Sequence, residues 1–215
     1  CSSDLVDFPL TGTVAFTFPR DALPVLEGTL QAGAGTLDAP GRLPGTLSLG
    51  VIQKVLQNLV RERVSIRDFL TILETLADYG TYTKDPDILT EYVRQRLGRA
   101  ITKALETPDR RILVHSLDPF VEDVLKDSLQ KTEYGVYLAL APETAEESIQ
   151  ALKRAADVSL AQNLQPVVVC SPMVRRHLRR LVERNLPNLW VLSPHELITD
   201  AKIQSLGVVS LSHEA

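Results

Sequence analysis

The sequence predicts an α+β/α/β chain: a small helical subdomain followed by a small α/β subdomain with a four- or five-stranded sheet. Three observations predict it. Between residues 47 and 107, apolar residues recur at helical spacing. From residue 108 onward, short runs rich in Val, Ile and Leu alternate with amphipathic helical stretches. Residues 1–46 resemble neither part. They hold six of the 11 Gly and five of the 13 Pro, and five acidic residues against two basic ones. The expected division is therefore 1–46 as a leader or linker, 47–107 as the helical subdomain and 108–215 as the α/β subdomain.

Within the first part, "TVAFTF" (Thr13 to Phe18) alternates like a short strand. "LQAGAGTLDAPGRLPG" then reads as a loop, because Gly and Pro punctuate it throughout. Val51, Ile52, Val55, Leu56, Leu59 and Val60 make one apolar helical face. A second follows in "VSIRDFLTILETLADY", where Ile66, Phe69, Leu70, Leu73, Leu76 and Ala77 repeat at the same period. Ser65 is the expected N-cap of that helix, with Asp68 three residues on, and Arg67 is expected on the outside. A third helix starts at Asp85, with Pro86 in the first helical position, where a missing N–H costs nothing. Its apolar face runs from Ile88 through Leu97 to Leu105.

After residue 107 the period changes. "RILVH", "GVYLALAP", "PVVVC", "LWVL" and "IQSLGVVSL" are the strand candidates. Between them lie "DPFVEDVLKDSL", capped by Asp118, a long helix in "ETAEESIQALKRAADVSLAQ", and "SPMVRRHLRRLVERN", capped by Ser171. "SPHE" carries a capping box of Ser193 and Glu196.

Composition narrows the function. The 215 residues are 44% hydrophobic and 23% charged, with a net charge of −4, which argues against a dedicated nucleic-acid binder. A membrane-spanning helix needs roughly 18 or more consecutive apolar residues, and none occurs. With two cysteines, Cys1 and Cys170, no disulfide framework is expected, and a reducing compartment is the simpler reading. The start at Cys1 suggests a fragment or a processed product. "CSSD" would also suit the lipidated start of a lipoprotein-anchored interaction module.

Candidate chemistry is sparse. Cys170 and Arg176 have the C-x5-R spacing by which cysteine-dependent phosphatases hold phosphate between a thiolate and a ring of N–H groups. Against this, no glycine lies between them, Pro172 removes a donor, and 175–180 reads as a helix. A core cysteine at a strand end is the plainer alternative. Arg175, Arg176, Arg179, Arg180 and Arg184 crowd one helix and suit an acidic protein partner. The polar face of 84–96 is a second candidate surface. Helices 50–62 and 65–79 imitate a helix-turn-helix, but Asp68, Glu74 and Asp78 would repel phosphates. His115, His177, His195 and His213 are too scattered for a zinc site, and no phosphate-binding glycine motif is present. No catalytic residue, cofactor or metal is expected.

Taken in order, longer segments are distinctive. "LPGTLSLGVIQKVLQNLVRERVSIRDFLTILETLADYGTYTKDPDILTEYVRQRLGRAI", "YLALAPE", "QPVVVCSPMVRRHLRRLVERNLPNLWVLSPHEL" and "SLGVVSL" resemble the flagellar export-gate protein family (FlhA) of the type III secretion export apparatus. The resemblance runs from about Leu43 to Leu211 and falls on the C-terminal part of the family's cytoplasmic region. It implies that 47–107 corresponds to the family's helical third subdomain and 108–215 to its α/β fourth. "TKDPDILTEYVR" looks like the flagellar branch rather than the injectisome branch. It also implies a non-catalytic role at the cytoplasmic face of the bacterial inner membrane. Partners would be export chaperone–substrate complexes and other export-apparatus proteins, met by a ring of the full-length protein. Residues 1–42 do not resemble the family. The family's membrane-spanning half and its first two cytoplasmic subdomains, which hold the main chaperone cleft, have no counterpart here. No chaperone-site residue is therefore carried over.

Overall fold

The computed structural model describes residues 5–9, 15–19, 47–133, 135–198 and 200–211. Cys1 and the glycine-rich stretch before residue 47 lie outside the described residues. The chain forms two compact units, Cys1–Leu97 and Gly98–Ala215.

In the first unit, β1 (Leu5–Pro9) pairs antiparallel with β2 (Ala15–Pro19), so the strand expected over 13–18 exists and has a partner. Three helices follow. Helix α1 (Leu49–Arg61) starts at Ser48, whose Oγ accepts from the Val51 N–H at 3.4 Å. Of the face read from the sequence, Ile52, Val55, Leu56 and Leu59 are buried, whereas Val51 is half-buried and Val60, at the edge of the stripe, is exposed. Arg63 adopts a φ of 61° as the chain turns away.

Helix α2 (Phe69–Tyr79) begins later than its sequence suggests. Asp68 is the N-cap, and its Oδ1 accepts from the Thr71 N–H at 3.2 Å. The Ser65 hydroxyl accepts from Arg67 N–H instead, two residues on, in non-helical chain. The expectation of a Ser65 cap is thus corrected. Both residues are good caps, and the helix begins at the one next to Phe69, the first deeply buried residue of the stripe.

Helix α3 (Pro86–Arg96) is capped by Asp85, whose side chain accepts from Asp87 N–H at 2.8 Å. It packs on both α1 and α2. Two polar links tie it to α1. Buried Asn58 donates through Nδ2 to Asp87 Oδ1 at 3.1 Å and to Thr90 Oγ1 at 3.2 Å. Buried Arg94 places Nη1 3.1 Å from Oε2 of Glu62, the residue that ends α1.

The single third helix expected from 85 to 105 is two helices. It breaks at Leu97, and α4 (Gly98–Leu105) belongs to the second unit. There it packs on a 3-10 turn, Pro194–Glu196. A Cβ at Gly98 would lie 2.8 Å from the Glu196 carbonyl oxygen, so only glycine allows this approach without a shift.

The sheet of the second unit has four strands in the order β7-β6-β3-β8, all parallel: β3 (Arg111–Leu117), β6 (Val167–Val169), β7 (Trp190–Leu192) and β8 (Lys202–Val209). Helices α5 (Pro119–Asp127) and α6 (Pro142–Ala161) lie in the crossover from β3 to β6 and α7 (Pro172–Val182) in that from β6 to β7, while β7 and β8 are joined through the 3-10 turn. Their caps at Asp118 and Ser171 are those the sequence indicates. The core joins Val121, Leu125, Leu152, Val174, Leu178 and Val182 to Val168 and Val191 of the strands. "GVYLALAP" does not enter this sheet. Its strand β5 (Gly135–Leu138) pairs antiparallel with β4 (Leu129–Thr132) as a separate hairpin, turning at Gly135 with φ 123°. Alternate burial suits such a hairpin, whereas a central parallel strand is buried on both faces.

Candidate functional site

Helix α7 carries the charged cluster that the sequence singles out, and folding splits it in two. Residues 175, 178, 179 and 182 fall on one side of a 3.6-residue helix. Here Arg175, Leu178, Arg179 and Val182 are all buried. Arg175 donates through Nη1 to the Val191 carbonyl at 3.3 Å, and its Nε lies 3.7 Å from Glu196 Oε1. Arg179 reaches around the following loop. Its Nη1 donates to Leu189 O at 2.8 Å and Leu186 O at 3.4 Å, and Nη2 donates to Pro187 O at 3.4 Å. Two of the five arginines therefore turn inward and hold β7 and its approach in place. A guanidinium, with five donors in a rigid fork, is well suited to bind several carbonyls at once.

Arg176, Arg180 and Arg184 lie four residues apart and leave the core side: Arg176 is half-buried, the other two exposed. Met173, 65% exposed, shares this face. Arg176 donates from Nε to His177 Nε2 at 3.1 Å. What reaches the surface is Met173, Arg176 and Arg180 on α7, with Arg184 in the turn beyond its end.

The phosphatase geometry is absent. Cys170 is 2% exposed, and its N–H donates to the Leu192 carbonyl at 3.0 Å. Residues 172–182 are regular helix, so no loop wraps between Cys170 and Arg176. The N–H of Ser171, at the head of α7, already donates to the Glu122 carboxylate at 2.8 Å. An internal carboxylate thus occupies the place a phosphate would take at this helix N-terminus. Among the described residues, no group of three His, Cys, Asp or Glu side chains is placed to hold a metal.

The "SPHE" capping box is present, and it does more than start a turn. Glu196 Oε1 accepts from the Ser193 N–H at 2.9 Å and from its hydroxyl at 3.0 Å. The same oxygen faces Arg175. A local motif thus becomes the anion of a buried pair.

On 84–96, little of the expected polar face is free. Lys84 and Arg96 are exposed, but Arg94 is buried, Asp85 caps the helix and the Asp87 carboxylate accepts from Asn58. Beside it Tyr92 stacks on Tyr79 at 4.0 Å, and Tyr82 is 84% exposed.

One concavity was not read from the sequence. A groove of about 350 Å³ opens between α6 and β8, lined by His115, Ala151, Arg154, Val158, Val208 and Leu211 among others. His115 sits at its floor, buried, with Nε2 3.1 Å from Ser159 Oγ. Burial holds the imidazole pKa below its usual value. Beside it, the β3–β8 register slips by one residue between Val114 and His115, which leaves Leu206 without a partner on β3. No local sequence signal marks this groove, because residues about 50 positions apart build it.

Comparison with known proteins agrees with this architecture. The profile of the FHIPEP family matches residues 40–202. The flagellar biosynthesis protein FlhA of Bacillus subtilis is 44% identical over 169 residues, which cover 78% of this chain and 25% of that protein. The low calcium response locus protein D of Yersinia pestis is 35% identical over 159 residues, 74% of this chain and 22% of its own. The chain thus spans about a quarter of these relatives' length. Among solved structures, the nonameric SctV-C of EPEC superposes with a TM-score of 0.71 at 30% identity, over 88% of this chain and 53% of that one. The Chlamydia pneumoniae CdsV protein in its complex with CdsO gives 0.72 at 28% identity, over 89% and 52%. No described helix is long and apolar enough to cross a membrane. By profile and by identity, the chain belongs to the FHIPEP family.

Proposed function

We propose that this chain is a cytoplasmic, non-catalytic part of a flagellar type III export gate, working at the inner face of the bacterial membrane. It contributes to ring assembly and binds export chaperone–substrate complexes or other export-apparatus proteins. The observation that carries the reading is the 44% identity to a flagellar FlhA, sustained over 169 residues. Two further findings support it. A relative of the same fold is nonameric, and another is solved in complex with the CdsO protein. The interior of the second unit is filled by structural contacts, and Cys170 is inaccessible.

Arg176, Arg180 and Arg184, with Met173, form the surface we assign to an acidic protein partner. Charge pairs at such a rim set association rate and selectivity more than affinity. Isothermal titration of the full chain with purified flagellar chaperone–substrate complexes tests the reading. Saturable binding is expected, weakened about tenfold by the triple change R176E/R180E/R184E and relieved by salt. A chain that neither binds any of these complexes nor sediments above a monomer would refute it.

A further inference from the structure

We infer that the groove between α6 and β8, together with the open edge of β8, receives an extended segment of another protein that carries a carboxylate. β8 is an outer strand of its sheet, and no strand pairs with its far edge among the described residues. It is eight residues long and contains no proline; its edge guards are Lys202 at one end and the bulge at Leu206, which leave 203–205 and 207–209 to pair. Lys202, Ile203, Gln204 and Ser205 are all exposed. Successive side chains point to opposite faces, so this half of the strand is open on both. Ile203 is 50% and Val208 60% exposed, so an added strand would find an apolar side chain in each half of β8.

The groove supplies what a bare edge lacks, namely selectivity. Ala151, Val158, Val208 and Leu211 offer an apolar wall at the far half of β8. Arg154 stands on its rim, exposed, with no ion pair or hydrogen bond among the described residues. His115, the other ionisable group of the lining, is buried and disposed to stay neutral. The lining therefore presents one cation and no anion. An added strand would gain main-chain hydrogen bonds from β8, place an apolar side chain in the groove and bring a carboxylate to Arg154.

A second copy fits this edge poorly. Pairing β8 with β8 across a two-fold axis is isologous and stops at a dimer, whereas a nine-membered ring repeats one heterologous contact. Relatives of this fold form such rings. The inference is independent of the α7 stripe, which is a different surface of the same unit.

The probe is a fluorescein-labelled nine-residue peptide of alternating Val and Thr with a central Glu, titrated by anisotropy against the full chain. A Kd of about 10–100 μM is expected, with the central-Lys peptide about tenfold weaker. Arg154→Glu should invert that preference, and V208K should abolish binding of both peptides; both sites are exposed, so the fold survives. Amide exchange should slow over 202–209 on binding. Equal binding of the two peptides, no saturation below about 1 mM, or protection elsewhere would overturn the inference. So would self-association that I203K or V208K reverses, which would assign the edge to a second copy.

Discussion

Arg175 and Glu196 face each other inside the second unit with Nε and Oε1 3.7 Å apart, and neither side chain is more than 1% exposed. Their sequence positions belong to a helix that looks uniformly basic and to a four-residue turn motif. Their meeting fixes the 3-10 turn against α7, and Gly98 packs on the backbone of the same turn.

Removing one partner of such a pair leaves an uncompensated buried charge, which costs about 3–5 kcal/mol. Glu196→Ala should therefore lower the urea midpoint strongly, with the slope unchanged. Arg180→Glu, on the exposed side of the same helix, should shift stability by less than about 0.5 kcal/mol.

The start of α2 offers a direct comparison of two candidate caps. Asp68→Ala should cost about 1 kcal/mol, since it leaves the Thr71 N–H without its acceptor. Ser65→Ala, at a residue outside the helix, should cost clearly less in the same chemical denaturation series. The reverse order would return the cap to Ser65.

Gly98 and Gly50 predict opposite signs for one substitution. G98A drives a methyl group against the Glu196 carbonyl at 2.8 Å and should destabilise by about 1–3 kcal/mol. At Gly50 the nearest atom, Ser48 Oγ, is 3.8 Å away, and G50A should stabilise by about 0.4–1 kcal/mol through the unfolded chain. Thermal melts of the two variants check both.

The buried His115 gives a pH signature. Its folded pKa lies below the ordinary 6.5 because burial disfavours the imidazolium. The unfolded chain then binds more protons, so stability is complete above about pH 6.5 and falls as pH drops toward the folded value. H115Q should flatten that part of a stability-versus-pH curve. Asp109, held below 3.8 mainly by the Thr107 hydroxyl, acts in the same direction but only at more acid pH, so the two windows separate.

Cys170 should resist thiol reagents in the native chain and react only on unfolding. Counting modified thiols by mass spectrometry, with and without urea, tests its placement in the core.

What the sequence determined by itself is local. The stripes of α1 and α2, the caps at Asp85, Asp118 and Ser171, and the Ser193–Glu196 box are each encoded within a few residues, where helical period and cap chemistry operate. Family membership was legible too, because long segments occur in order. Tertiary structure decided the rest. Leu97 ends one helix because Gly98 lets another pack on a turn nearly a hundred residues away. β4 and β5 leave the main sheet to pair with each other. Arg175 and Arg179 sit on the stripe of Leu178 and Val182, a spacing visible in the sequence. Their burial is stable only because Glu196 and the carbonyls of Leu186, Leu189 and Val191 arrive from elsewhere to meet their charge. The groove at β8 has no sequence signature for the same reason: burial, pairing and concavity depend on which distant segments meet.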